Sequence, residues 1–124
     1  MAVTPGFASY CAELLASAGE VRTQRMFGGW GLYIDDLFVA IIAGDTLYLK
    51  VDEQTRSQFE AAGGHRFEYS ARGKQNALGF WTVPAEAMDS PHLMRPWARL
   101  AMQAALGARA AARPRAKPRA SRSG

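Results

Sequence analysis

Three turn pairs, Gly28-Gly29, Asp35-Asp36 and Gly44-Asp45, punctuate residues 22–50 at intervals too short for helices between them. Glycine and aspartate tolerate the positive φ that tight hairpin loops demand, and the runs separating these pairs have the length of strands. Two-residue loops join antiparallel strands, whereas parallel strands need a crossover of a dozen residues or more. The segment therefore predicts an antiparallel meander and argues against a doubly wound nucleotide fold. Trp30, Leu32 and Ile34 alternate with Gly31, Tyr33 and Asp35, the period of a strand with two unlike faces. Phe38, Val39, Ala40, Ile41 and Ile42 are continuously apolar, which predicts a central strand over 37–43 covered on both faces. Leu47, Leu49 and Val51 alternate with Tyr48 and Lys50, so the third main strand has one dry face and one partly wet face.

Helices flank these strands. Thr4-Pro5 supplies an N-cap and a proline at the first helical position, and Phe7, Tyr10, Cys11, Leu14, Leu15 and Ala18 recur at helical spacing until Gly19. Helix one is expected over roughly 5–18. Asp52 caps a second over about 53–62, stopped by Gly63-Gly64. Residues 66–70 and 77–83 form a second hairpin around a polar turn at 71–75, and Pro84 opens a short helical turn. Ser90-Pro91 starts a last helix whose stripe is Leu93, Met94, Trp97, Leu100, Ala101 and Ala104, with Gly107 as its end. The order α-β(3)-α-β(2)-α is that of an α+β domain, an antiparallel sheet with helices packed against it.

The formal net charge of +4 is placed unevenly. Beyond residue 106 stand six cations, Arg109, Arg113, Arg115, Lys117, Arg119 and Arg122, and no acid; residues 1–106 keep nine cations against eleven acids, a formal −2. The expected division is a weakly acidic domain over 1–106 and a disordered basic tail over 107–124, whose alanines and prolines bury too little to offset ordering entropy. The six tail cations are the candidate contacts to nucleic acid, of the sequence-blind kind that condenses on phosphates. The longest apolar stretches fall short of a bilayer and the first cation is Arg22, so a soluble cytoplasmic protein is expected.

Residues able to do chemistry are scattered. Cys11 stands alone on the inner stripe of the first helix, where core packing is its expected role. His65 and His92 have no partner at metal-ligand spacing, and both are expected at the surface. The glycines of 28–31 lie between strands with no Lys following, unlike a phosphate loop. Their expected use is a bulge or turn with positive φ at Gly28 or Gly29, and close packing against Gly31. Asp35-Asp36 and Asp52-Glu53 sit in a turn and at a helix start, and 72–76 forms a basic hairpin tip expected to be solvated. No catalytic constellation, metal site or cofactor is expected. The aromatics Trp30, Tyr33, Tyr48, Tyr69, Phe80 and Trp81 lie on strands, and a sheet with exposed rings can stack bases. Such a sheet also interleaves cations with its rings, and along the chain only Lys50 stands nearby, so core packing or an interface with a second copy is preferred.

The stretch from Arg25-Met26-Phe27-Gly28-Gly29-Trp30-Gly31 to Tyr33, then residues 47–52, 80–84 and 96–98, resembles the N-terminal domain of the TfoX/Sxy family over about residues 7–106. The resemblance implies a bacterial cytoplasmic protein with the α-β(3)-α-β(2)-α architecture, similar to the fold of secretion chaperones. The family's namesakes are regulators of natural competence, co-activators of transcription alongside a cyclic-AMP receptor protein, and they carry a C-terminal helical domain. This chain is expected to be a single-domain member without it. The resemblance carries no catalytic residues. Arg25, Met26, Phe27, Gly28, Gly29, Trp30 and Tyr33, whose spacing is more distinctive than packing alone demands, are the candidate contacts to a protein partner, which for such a regulator would be transcription machinery or a receptor of that type. Two readings stay open: a non-enzymatic co-regulator whose tail adds non-specific DNA affinity, and a homodimeric adaptor with no nucleic-acid role.

Overall fold

The computed structural model describes residues 5–26, 29–71 and 74–112, with backbone alone for Pro5, 68–71, 74–78, 111 and 112. The chain runs α1 (Pro5–Leu15), β1 (Val21–Met26), β2 (Gly29–Ile34), β3 (Leu37–Ala43), β4 (Thr46–Lys50), α2 (Arg56–Ala61), β5 (Arg66–Ala71), β6 (Lys74–Thr82) and α3 (Pro91–Ala112). Single 3₁₀ turns, Ala16–Ala18 and Ala85–Met88, extend α1 and precede α3. The six strands form one antiparallel sheet in the order β1-β2-β3-β4-β6-β5. The α+β class holds, with one correction: four strands precede α2 where three were expected. The additional strand is β1, whose interior residues Arg22, Thr23, Gln24 and Arg25 are all exposed. An edge strand with so little to bury carries almost no hydrophobic signature.

All three helices serve one face. The row Leu32, Ala40, Leu49, Trp81 crosses four strands in register and points into the core with Ile34, Val39, Ile42 and Leu47. Helix α1 packs over β1 and β2, α3 over β3 and β4, and α2 touches β6. Helix α3 makes its approach with small residues: Met94, Ala98, Ala101 and Ala105 form its buried stripe, with Ala104 beside it and Trp97 meeting the Phe59 ring of α2 at 4.9 Å. Leu93, expected on that stripe, is 42% exposed. The helix also passes through Gly107 to Ala112 instead of ending there. Ser90 caps it as expected, its Oγ accepting from the Leu93 N–H at 3.2 Å.

The apolar run in β3 has a different cause from two-sided burial. Leu32 pairs with Ala40 and Tyr33 with Phe38, so Val39 is an extra residue in a β-bulge. Val39 and Ala40 consequently both face the core at 0% exposure. Phe38 and Ile41 look the other way and are half-buried.

Helix α2 is shorter than expected because its first residues form a reciprocal cap. Asp52 Oδ1 accepts from the Gln54 and Thr55 N–H groups at 2.9 Å, and Thr55 Oγ1 accepts from the Asp52 N–H at 2.9 Å. Thr55 is 1% exposed, and these bonds satisfy its hydroxyl.

Candidate functional site

With every helix on one side, the sheet's other face has no covering layer among the described residues. Strand pleating decides what stands on it. Arg22 pairs with Tyr33 and Tyr33 with Phe38 across β1, β2 and β3; Lys50 pairs with Phe80 across β4 and β6. Met26 and Phe38 meet over Gly31, while Ile41, Tyr48 and Phe67 extend the same face. Tyr33, Phe38, Ile41, Tyr48 and Phe67 are half-buried, the exposure of side chains that touch neighbours but have no helix above them among the described residues.

The rings form two linked groups. Tyr33 and Phe38 lie 5.1 Å apart, and Phe38 reaches across β4 to Phe80 at 5.6 Å. Tyr48 meets Phe67 edge-on at 4.9 Å. Two cations cap this floor: the Arg22 guanidinium sits 4.2 Å from the Tyr33 centroid and Lys50 Nζ 4.9 Å from that of Phe80. Arg22 also has Asp36 at 3.7 Å, a pair so exposed that it contributes little. Lys50 has no carboxylate partner among the described residues, and burial of its stem lowers its pKa from the usual lysine value.

The sheet separates residues that the sequence placed together. Met26 and Tyr33 reach the open face, whereas Trp30 pairs with Ile42 and packs against the core, with Arg25 at 5.6 Å from its ring. Gly29 is buried and has no positive φ; a Cβ there would lie 2.0 Å from the Ile42 carbonyl oxygen, so close strand approach is what excludes a side chain. Phe27 and Gly28 lie outside the described residues, as does the hairpin tip at 72–73. Sequence reasoning missed Arg22, Phe38, Ile41 and Phe67 as members of one surface. Arg22 was hidden because only the register of β1 on β2 sets it beside Tyr33.

Of the six basic residues assigned to the tail, Arg109 belongs to the last turn of α3 and donates through its guanidinium to the Asp36 carbonyl at 2.7 Å. Arg113, Arg115, Lys117, Arg119 and Arg122 lie outside the described residues. Cys11 is fully buried and its thiol is pushed up to about 12 by desolvation, which removes the thiolate needed for chemistry. His65 and His92 are exposed.

A cleft of about 470 Å³ opens between α2 and the sheet edge, lined by Arg56, Glu60, Gly64, His65, Arg66 and Trp81. It is broad and mixes both signs of charge, so it offers a ligand no single electrostatic pole. Among the described residues no group of three or more His, Cys, Asp or Glu could hold a metal ion, and no helix is long and apolar enough to cross a membrane.

No curated protein matches the chain. The family described as TfoX N-terminal domain matches residues 13–105, three-quarters of the 124, from the last turn of α1 into the second half of α3. That span holds all six strands and both faces of the sheet, and the chain belongs to the TfoX N-terminal domain family.

Proposed function

We propose that this protein is a non-enzymatic regulator that works by contact, engaging a protein partner of the transcription machinery through its domain and DNA through the cations at its C-terminal end. At the level of the family the role is regulatory and competence-related, and the family is not one of known enzymes. The observation that carries the contact reading is the sheet face itself: half-buried rings and an apolar Ile41 with no helix above them among the described residues. A cyclic-AMP receptor-type regulator is the partner that the family role suggests. The DNA arm rests on the run of cations beyond Ala112, with no acid among them.

The test is duplex-DNA binding by fluorescence anisotropy over a salt series, comparing the full chain with one ending at Ala112, which keeps every described element. The five cations removed allow a log–log salt slope no steeper than about −4.5. Binding by the full chain that vanishes with the truncation supports the proposal; binding retained at full strength contradicts it.

The same apolar face favours a second reading, a homodimeric adaptor in which two sheets cover one another. Sedimentation equilibrium separates the two, since the adaptor predicts a dimer at micromolar concentration and no salt-dependent DNA binding.

A further inference from the structure

We propose that the open face of the sheet is a stacking platform for single-stranded nucleic acid, with bases on its half-exposed rings and phosphates on Arg22 and Lys50. This goes beyond the DNA arm above and rests on the reading that the open face is a contact surface.

The arrangement is a row. Read across the strands it runs Arg22, Tyr33, Phe38, Lys50, Phe80, in the order β1, β2, β3, β4, β6; Phe80 is 5% exposed beneath Lys50, so the rings of the row that a base can reach are Tyr33 and Phe38. Strand spacing sets the two cations about 14 Å apart across the sheet, with two rings between them. Tyr48 and Phe67 form a second ring pair on the same face. Unpaired bases present π-faces that stack on such rings, and the phosphates between them need cations interleaved at the ring edges.

Three observations select this occupant. The first is charge: among the described side chains on the strands of this face there are cations and no carboxylate, so the complementary partner is an anion. The second is Lys50, a half-buried side chain held over a ring with no acid beside it among the described residues. A phosphate supplies the missing counter-charge. The third concerns self-association, because a second copy laid face to face would bring like cations together in an apolar contact. A duplex, for its part, keeps its base faces inside its own stack and offers the rings nothing.

The test uses the full chain and two fluorescein-labelled probes of about twelve nucleotides, an oligo(dT) strand and a duplex. The platform predicts tighter binding to the single strand. Tyr33→Leu weakens that binding by about 5- to 150-fold and leaves the duplex unchanged. Arg22→Gln, at an exposed position, makes the log–log salt slope for the single strand shallower by about 0.7. Thermal unfolding of Tyr33→Leu checks that the fold is intact, and Tyr48→Leu repeats the test from the second ring pair. Equal affinity for both probes with no response to Tyr33→Leu, Tyr48→Leu or Arg22→Gln overturns the platform. If that binding also needs residues beyond Ala112, the regulatory reading survives the platform's failure. Self-association abolished by Tyr33→Leu, with no oligonucleotide binding, assigns the face to a second copy and overturns the platform as well.

Discussion

Gly31 has open-face neighbours where a side chain would go: an added Cβ would lie 2.4 Å from Met26 Cε and 3.1 Å from the Phe38 ring. The flexible end of Met26 can swing aside there, whereas at Gly29 the obstacle is the Ile42 backbone carbonyl, so Gly29→Val should destabilise the fold by about 1–3 kcal/mol through overpacking, measured by urea unfolding. Close packing at Gly31 was legible in the sequence because a glycine inside a strand pattern signals it. Positive φ was expected at Gly28 or Gly29; Gly28 lies outside the described residues, and Gly29 is a glycine for another reason, a steric limit set by the Ile42 carbonyl that is invisible until β2 and β3 are in register. Cys11 shows the opposite case, a residue whose core role followed directly from helical spacing. Its thiol is about 12 in the fold against an ordinary 9.0, so the folded state favours the protonated form. Its contribution to stability is complete below pH 9 and is lost as pH rises from 9 toward 12. Unfolding titrations should show that loss in the native protein and a shallower one in Cys11→Ala. Lys50 has the reverse sign: its lowered pKa means the charged form is disfavoured by folding, and the penalty grows as pH falls through the folded value. Lys50→Met should therefore be more stable than the native chain at neutral pH, with the gain shrinking as pH rises through the folded value toward the ordinary lysine pKa of 10.5.

The element boundaries that could be read in advance are those with local chemistry at their ends. Ser90-Pro91 started α3 as expected, because a cap and a fixed φ act within a few residues. The far end was misplaced, because Gly107 only weakens a helix, and the Arg109 contact to Asp36 holds the turn beyond it. The bulge at Val39 misled in a different way, since two consecutive inward residues imitate the unbroken apolar pattern of a strand buried on both faces. The start of α2 gives a prediction at this scale. Thr55→Ala removes the hydroxyl that accepts from the Asp52 N–H and leaves that group short of a partner in a part-buried site. The expected cost is about 0.5–2 kcal/mol, seen as a lower urea midpoint with an unchanged slope.

For the whole molecule, period-two alternation in the sequence identified two faces but not what lies on each. That depends on where three helices settle, and all three settle on one side. The aromatic strands were therefore visible from the start, while their openness and the placing of Arg22 beside them were not. The central claim is that this uncovered face is the protein's contact surface. Hydroxyl-radical footprinting of the full chain, alone and with oligo(dT), tests it most directly. The account predicts that Tyr33, Phe38 and Tyr48 are oxidised readily in the free protein and protected by the oligonucleotide, while Phe59 and Met94 stay unreactive in both. Rings already protected in the free protein would contradict the open face itself, whereas rings equally reactive with and without the oligonucleotide would overturn the stacking platform and leave the face to a protein partner.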